Sequence, residues 1–224
     1  MKKVSILAFA AVAMLVSCNK AGDKANTTTE QQVAEQQGAV YNVDAAASTV
    51  KWTGTHKGGL NPRFGVVKAE GTVAVENNVV TGGKFTLDLN SLTTDEASVD
   101  PATSGGKKST DLDGHLKSAD FFDVEKYPTS TFEITSVAAF DAAKDQSVLE
   151  GATNVISGNL TIKDKTVNVT FPAKVTVTEG EVSLESKFTI NRQDWGLTYG
   201  TEGDAKDWMI SQEINIELNV HAKK

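Results

Sequence analysis

Along most of the chain apolar side chains recur at every second position. Ile214, Ile216, Leu218 and Val220 alternate with Glu213, Asn215, Glu217 and Asn219, the period of a strand with one buried face. Phe85, Leu87 and Leu89 alternate in the same way with Lys84, Thr86 and Asp88. So do Val50, Trp52 and Gly54 with Thr49, Lys51 and Thr53, and Ile156, Gly158, Leu160 and Ile162 with Ser157, Asn159 and Thr161. Short polar breaks separate these runs. Asn77-Asn78 suits a two-residue hairpin because asparagine tolerates positive φ, and Asp164-Lys165 and Glu179-Gly180 mark further turns. Pro172 interrupts the run from Val167 to Val177 and places a bulge or an edge there. About eight such segments joined by tight turns predict an antiparallel meander with one apolar face. It closes as an up-and-down barrel or folds over as a sandwich, and the short hairpins favour the barrel.

One stretch breaks the alternation. Thr110-Asp111-Leu112-Asp113 has the Ser/Thr-x-x-acid form of a helix start. Leu112, Leu116 and Ala119 follow at helical spacing, then Phe121 and Phe122, and Tyr127-Pro128 ends the helical pattern. The spacing predicts a short helix set among strands, serving as a lid over one end of the sheet or as a plain connector. Thr131-Phe132-Glu133-Ile134 resumes the alternation.

The N-terminus lies outside this pattern. Lys2 and Lys3 precede an apolar run over residues 4–16 that ends at Leu15-Val16-Ser17-Cys18. A basic start, a short apolar run and a small-residue cleavage site make a secretory signal, too short for a membrane span. Cys18 is the single cysteine, and the ending resembles a bacterial lipobox, which implies cleavage before Cys18 and its lipidation. Residues 1–17 are therefore expected to be a lipoprotein signal peptide, residues 18–40 a flexible tether, and residues 41–224 the folded domain. Between positions 19 and 39 Val33 is the one large aliphatic side chain, too little to offset the entropy of ordering that segment. Asn19 after the cysteine, rather than an aspartate, favours outer-membrane over inner-membrane attachment. A formal net charge of -7 argues against nucleic acid as a partner, since phosphate recognition needs a surplus of Lys and Arg. A lone cysteine excludes a disulfide framework and a cysteine-based zinc cluster.

Several segments in order carry a resemblance. His115-Leu116-Lys117-Ser118-x-Asp120-Phe121-Phe122-Asp123 continues through Lys126-Tyr127-Pro128 to Thr131-Phe132, with Gly158-Asn159-Leu160-Thr161-Ile162 and Asn191-Arg192-Gln193-Asp194-Trp195-Gly196 downstream. Together they resemble the YceI-like family, lipocalin-like proteins of the bacterial cell envelope. The resemblance covers nearly everything from Tyr41 onward. It implies an all-β, antiparallel, up-and-down lipocalin-like barrel of about eight strands with a short helical insertion. It also implies an apolar tunnel for a polyisoprenoid or other long-chain amphiphilic lipid. Residues 57–64 and the loop over residues 95–108 depart from the family pattern, which leaves head-group chemistry open.

The expected ligand-binding residues are Leu116, Phe121, Phe122 and Trp195 along the lipid path, each also readable as plain core, with His115, Arg192 and Asp194 as polar candidates near the mouth. Arg192 and Asp194, two apart in an extended segment, project from one side. They read as a structural ion pair ahead of Trp195 or as head-group contacts. Asp111, Asp113 and His115 form a polar trio, but the acids already serve the helix start and no motif surrounds His56 or His221. No metal site is therefore expected. No nucleophile–base signature or phosphate loop is present, so no catalytic residue and no cofactor is expected beyond the lipid itself. The expected function is binding, sequestration or transport of that lipid in the envelope. Its alternatives are an enzyme acting on the lipid through His115 and Arg192, and a structural barrel whose interior is filled. Partners would be the lipid, the membrane through Cys18, and a second copy of the chain as a homodimer.

Overall fold

A computed structural model describes residues 22–201 and 209–224. The elements in order are β1 (Asp23–Lys24), β2 (Asn26–Thr28), β3 (Ala39–Val43), β4 (Thr49–His56), β5 (Arg63–Glu76) and β6 (Val79–Thr94). Then come α1 (Ser109–Lys117), β7 (Thr129–Ala139), β8 (Asn154–Ile162), β9 (Lys165–Val177), β10 (Glu181–Asn191) and β11 (Ile210–Lys223). Eight long antiparallel strands, β4 to β11, close into a barrel: each pairs with its successor, and β11 returns to β4 with Ile216 opposite Trp52 and Leu218 opposite Val50. The short β3 continues the position of β4 below it, between β5 and β11. The alternation therefore closes into a barrel and not a sandwich.

The turns carry their expected chemistry. Asn77 and Asn78 both take positive φ, 53° and 61°, in the β5–β6 hairpin. Gly71 sits at φ 153°, where an added Cβ would lie 2.2 Å from the Lys84 carbonyl oxygen. Only glycine lets β5 bend that closely over β6.

The hairpins after β5, β7 and β9 define the lower end. The upper end carries α1, the loop after β4 and the loop after β10. At the lower end the interior is packed by Ile134, Ile156, Val73, Val182, Ala173 and Ala222, leaving a void of only about 10 Å3. The Tyr41 hydroxyl reaches the carbonyls of Thr178 and Glu179 and ties this end to the β9–β10 turn.

One seam is built differently. β9 and β10 pair directly only between Lys174–Val177 and Val182–Glu185. Above that they separate, starting near Pro172, which has no N–H to continue the ladder. The gap is filled by the N-terminal segment. β1 pairs in parallel with β10, Asp23 opposite Phe188, and β2 pairs antiparallel with β9, Asn26 opposite Thr170. Ala25, between them, is buried and donates to the Thr189 carbonyl. The chain then crosses outside β8 and β7. Gln31 exchanges hydrogen bonds with the side chain of Asn159, and the Ala34 N–H reaches the Ile134 carbonyl. This corrects the expectation of a flexible tether through residue 40. From Gly22 onward the segment is a strap in the barrel wall. It pairs with strand edges that β9 and β10 leave open, and its side chains add only Ala25 in the core and polar contacts from Asp23 and Thr27, so no apolar pattern in its composition could reveal it. Residues 1–17 and Cys18 lie outside the described residues.

Candidate functional site

The pleat of the eight strands turns one side chain in two inward. From the upper end the inward rows run Gly54–Ile214–Ile190, Trp52–Ile216–Phe188 and Val50–Leu218–Ser186, and above them His56 lies opposite Ile210, whose carbonyl accepts from Arg192 in the turn after β10. Four phenylalanines cross the barrel below the upper rows. Phe85 and Phe132 lie 6.2 Å apart between ring centroids, Phe132 and Phe171 5.9 Å, and Phe171 and Phe188 stack at 4.1 Å across the seam. Room for the Phe132 ring comes from Gly158, where a Cβ would lie 2.2 Å from its tip.

Above and around this aromatic row is an apolar cavity of about 370 Å3. It reaches on β10 from Arg192 to Leu184, roughly 25 Å along the strand and roughly 20 Å along the axis of a tilted barrel. Its wall explains an oddity in the burial pattern. Trp52, Leu87, Phe132, Leu160 and Ile216 point inward yet are only half-buried, because the surface they show is the cavity wall. A filled barrel would bury them.

Helix α1 begins earlier than its sequence signature indicates. The first helical residue is Ser109, and Asp111, not Asp113, returns its carboxylate to the backbone N–H of Lys108 at 2.8 Å. Asp113 instead accepts from the Thr94 N–H at 2.6 Å and fastens the helix to β6. Both acids are thus engaged in holding the helix, and among the described residues no cluster has the composition of a metal site. Leu112 and Leu116 on α1, with Phe121 and Phe122 after it, line the cavity, so the helix covers the upper end as a lid. Ala119 lies beyond the helix and is exposed.

The polar candidates separate. His115 stands outside the cavity wall, bonded to Asp120 at 3.1 Å and edge-on to Phe121 and Tyr199 at centroid distances of 5.1 and 4.7 Å. Trp195 does not line the cavity either. It is buried in the core, and its indole N–H donates to the Leu160 carbonyl at 2.9 Å. Arg192 and Asp194 do not pair. The segment Arg192–Trp195 is a 3-10 turn, in which residues two apart point to different sides, so the extended-strand expectation fails. Asp194 accepts from Thr27 of the strap at 3.2 Å. Arg192 turns inward and lines the cavity. Its guanidinium donates to the carbonyls of Ser211, Leu197 and Ile210, and burial pushes its pKa below the ordinary arginine value.

Three cavity residues were not singled out by sequence. Arg63, on β5, donates to the Ser98 carbonyl and lines the mouth. His56, at the top of β4, is held below the usual histidine pKa first by burial and then by the Arg63 charge. Trp52 lies two rows further in. The buried Nδ1 of His56, Nε1 of Trp52 and Oγ of Ser130 have no hydrogen-bond partner among the described residues, and all three residues line the cavity. The alternation of β4 placed Trp52 inward, but nothing local marks Arg63 or His56.

A model described as the YceI-like domain matches residues 41–222. The chain belongs to the YceI-like family. A UPF0312 protein from Pseudomonas aeruginosa strain LESB58 is 32% identical over 146 residues, 62% of this chain and 68% of that protein. Among solved structures, BcnA from Burkholderia cenocepacia superposes with a TM-score of 0.59 at 22% identity, covering 81% of this chain and 99% of that one. A polyisoprenoid binding domain from Saccharophagus degradans gives 0.53 at 13% identity, covering 86% and 99%. These two likenesses carry the barrel fold. In this YceI-like chain the sequence signature from His115 to Phe132 is the lid and the strand that follows it.

Proposed function

We propose that the protein binds one long-chain amphiphile, a polyisoprenoid or a lipid of similar length, inside the barrel. The cavity carries this reading: it is deep, narrow and apolar, closed below by packed core and capped above by the α1 lid. A cavity of this kind matches the size range of ligand pockets, and each buried methylene contributes about 0.8 kcal/mol. The S. degradans domain, described as polyisoprenoid binding, shares the fold and agrees with a prenyl chain as the occupant. Holding the lipid rather than transforming it suits a wall in which His115, half of the proposed catalytic pair, takes no part. Export through the signal at residues 1–17 and anchoring through lipidated Cys18 would place the domain in the envelope, at the outer membrane, where a carrier shields such a chain from water. Native mass spectrometry of the full chain purified from a bacterial host tests the binding reading. A lipid-sized mass increment released by organic solvent is expected. A protein that neither retains nor takes up farnesol or a longer prenyl alcohol would overturn it.

A further inference from the structure

The charged lining of the cavity is one-sided. The chain carries 29 acidic against 22 basic residues, yet the cavity wall holds Arg63 and Arg192 and no carboxylate among the described residues. Arg192 is only 3% exposed and satisfies three of its five N–H donors with carbonyl oxygens. Among the described residues no carboxylate pairs with its charge. A buried cation normally has a counter-ion, because desolvation is otherwise uncompensated. His56 lies opposite Ile210 in the β4–β11 ladder, and the Ile210 carbonyl accepts from Arg192. Arg63 stands opposite Gly54, two residues below His56, on the neighbouring strand. The unpartnered Nδ1 of His56 therefore sits in the same upper rim as both guanidinium groups, and the unpartnered indole N–H of Trp52 lies below it on the same strand.

We propose that this upper rim is an oxyanion subsite, in which Arg192 and Arg63 bind the phosphate or carboxylate head of the chain whose tail fills the cavity. The inference rests on the binding reading above and adds the head-group class. Guanidinium groups form the strongest hydrogen bonds with oxyanions, often two at once. His56 and Trp52 supply neutral hydrogen bonds to the same head. The tail then runs down past Ile214 and Ile216 to the phenylalanine row, with no polar group needed along that path.

Affinities of the full chain for farnesyl phosphate and farnesol, and for palmitate and hexadecanol, test this directly, because each pair differs only in the head. Farnesyl phosphate is expected to bind at least about tenfold tighter than farnesol, as one added charge-assisted contact gives. The palmitate pair shows whether a carboxylate gains equally or the site prefers phosphate. Arg63→Gln should erase most of the preference, read as the ratio of the farnesyl phosphate and farnesol affinities within the same variant. Arg192→Gln should do the same. Because Arg192 also holds three loop carbonyls, its result is read only alongside an unchanged circular dichroism spectrum, and Arg63→Gln stands as the variant that leaves that loop intact. Equal affinity of the wild-type chain for both members of each pair would overturn the oxyanion subsite and leave the lipid cavity standing. A preference that survives Arg63→Gln and a folded Arg192→Gln would overturn the assignment of these residues. Failure of all four probes to bind would remove the binding reading itself.

Discussion

The two ends of this barrel are made from the same strands and the same alternation, yet one is solid and the other hollow. At the lower end β-branched and small side chains, Val73, Ile134, Ile156 and Val182 among them, meet across the barrel and fill it. At the upper end the inward positions hold Trp52, Leu87, Leu160 and Ile216, which line the wall without meeting. The seam between β9 and β10 repeats the contrast. Below, the strands pair directly; above, the strap of β1 and β2 replaces the missing ladder. Alternation thus decides which face a side chain takes, while strand separation decides whether opposing side chains touch.

The largest expected effect sits at the solid end. Ile156 is 1% exposed, so Ile156→Ala should cost about 2–5 kcal/mol, as for other buried large-to-small changes. Leu87→Ala, which removes atoms already facing a void, should cost less than about 2 kcal/mol, since fewer contacts are lost. Urea denaturation of both variants measures the difference, and equal losses would mean that the upper interior is packed as well.

Next comes the seam. Asn159 is 3% exposed and bridges the strap and β9, accepting from the Gln31 N–H and from the Asn168 side chain while donating to the Gln31 carbonyl. Asn159→Ala should therefore cost about 1–3 kcal/mol through unsatisfied buried groups. It should also raise hydrogen exchange at the Ala25 and Ala34 amides before it affects the lower strands. Unchanged exchange there would show that the strap does not depend on this anchor.

The lid gives an effect on binding more than on folding. Replacing Phe121 and Phe122 together by Ala should reduce the lipid-bound fraction seen by native mass spectrometry well below that of Asp111→Ala, which touches only the helix start. Equal reductions would make α1 a connector and not a lid.

The smallest effect is in pH dependence. His56 has its folded pKa lowered by burial and by Arg63, so the unfolded chain binds its proton more readily. Its contribution is fully present above the unfolded value of about 6.5 and is lost as pH falls through the folded pKa. His56→Gln should therefore lose less stability than the wild type between about pH 7.5 and about pH 5.5 in urea titrations.

Much of the fold was legible along the chain. The alternating runs at Phe85, Ile156 and Ile214, the Asn77-Asn78 turn and the break at Pro172 each rest on a local preference that the folded state keeps. The site was legible only in part. Leu116, Phe121 and Phe122 line the cavity as expected, whereas Trp195, Asp194 and His115 do not. Arg192 and Asp194 failed as a pair because a 3-10 turn replaced the extended backbone assumed for them. Arg63 and His56 went unmarked because they meet the site through the β4–β5 and β4–β11 ladders, and no spacing along the chain encodes such a meeting.

The sequence by itself determined which side chains face inward, where the hairpins turn, and that a short helix with two phenylalanines interrupts the strands. These follow from backbone preferences and from the two-residue period, which act within a few residues. Only the tertiary structure decided that the barrel is hollow above its phenylalanine row, that residues 22–28 complete its wall, and that two arginines share one rim with no acid beside them among the described residues. Each of those depends on distances between strands far apart in the chain, set by closure of the whole sheet.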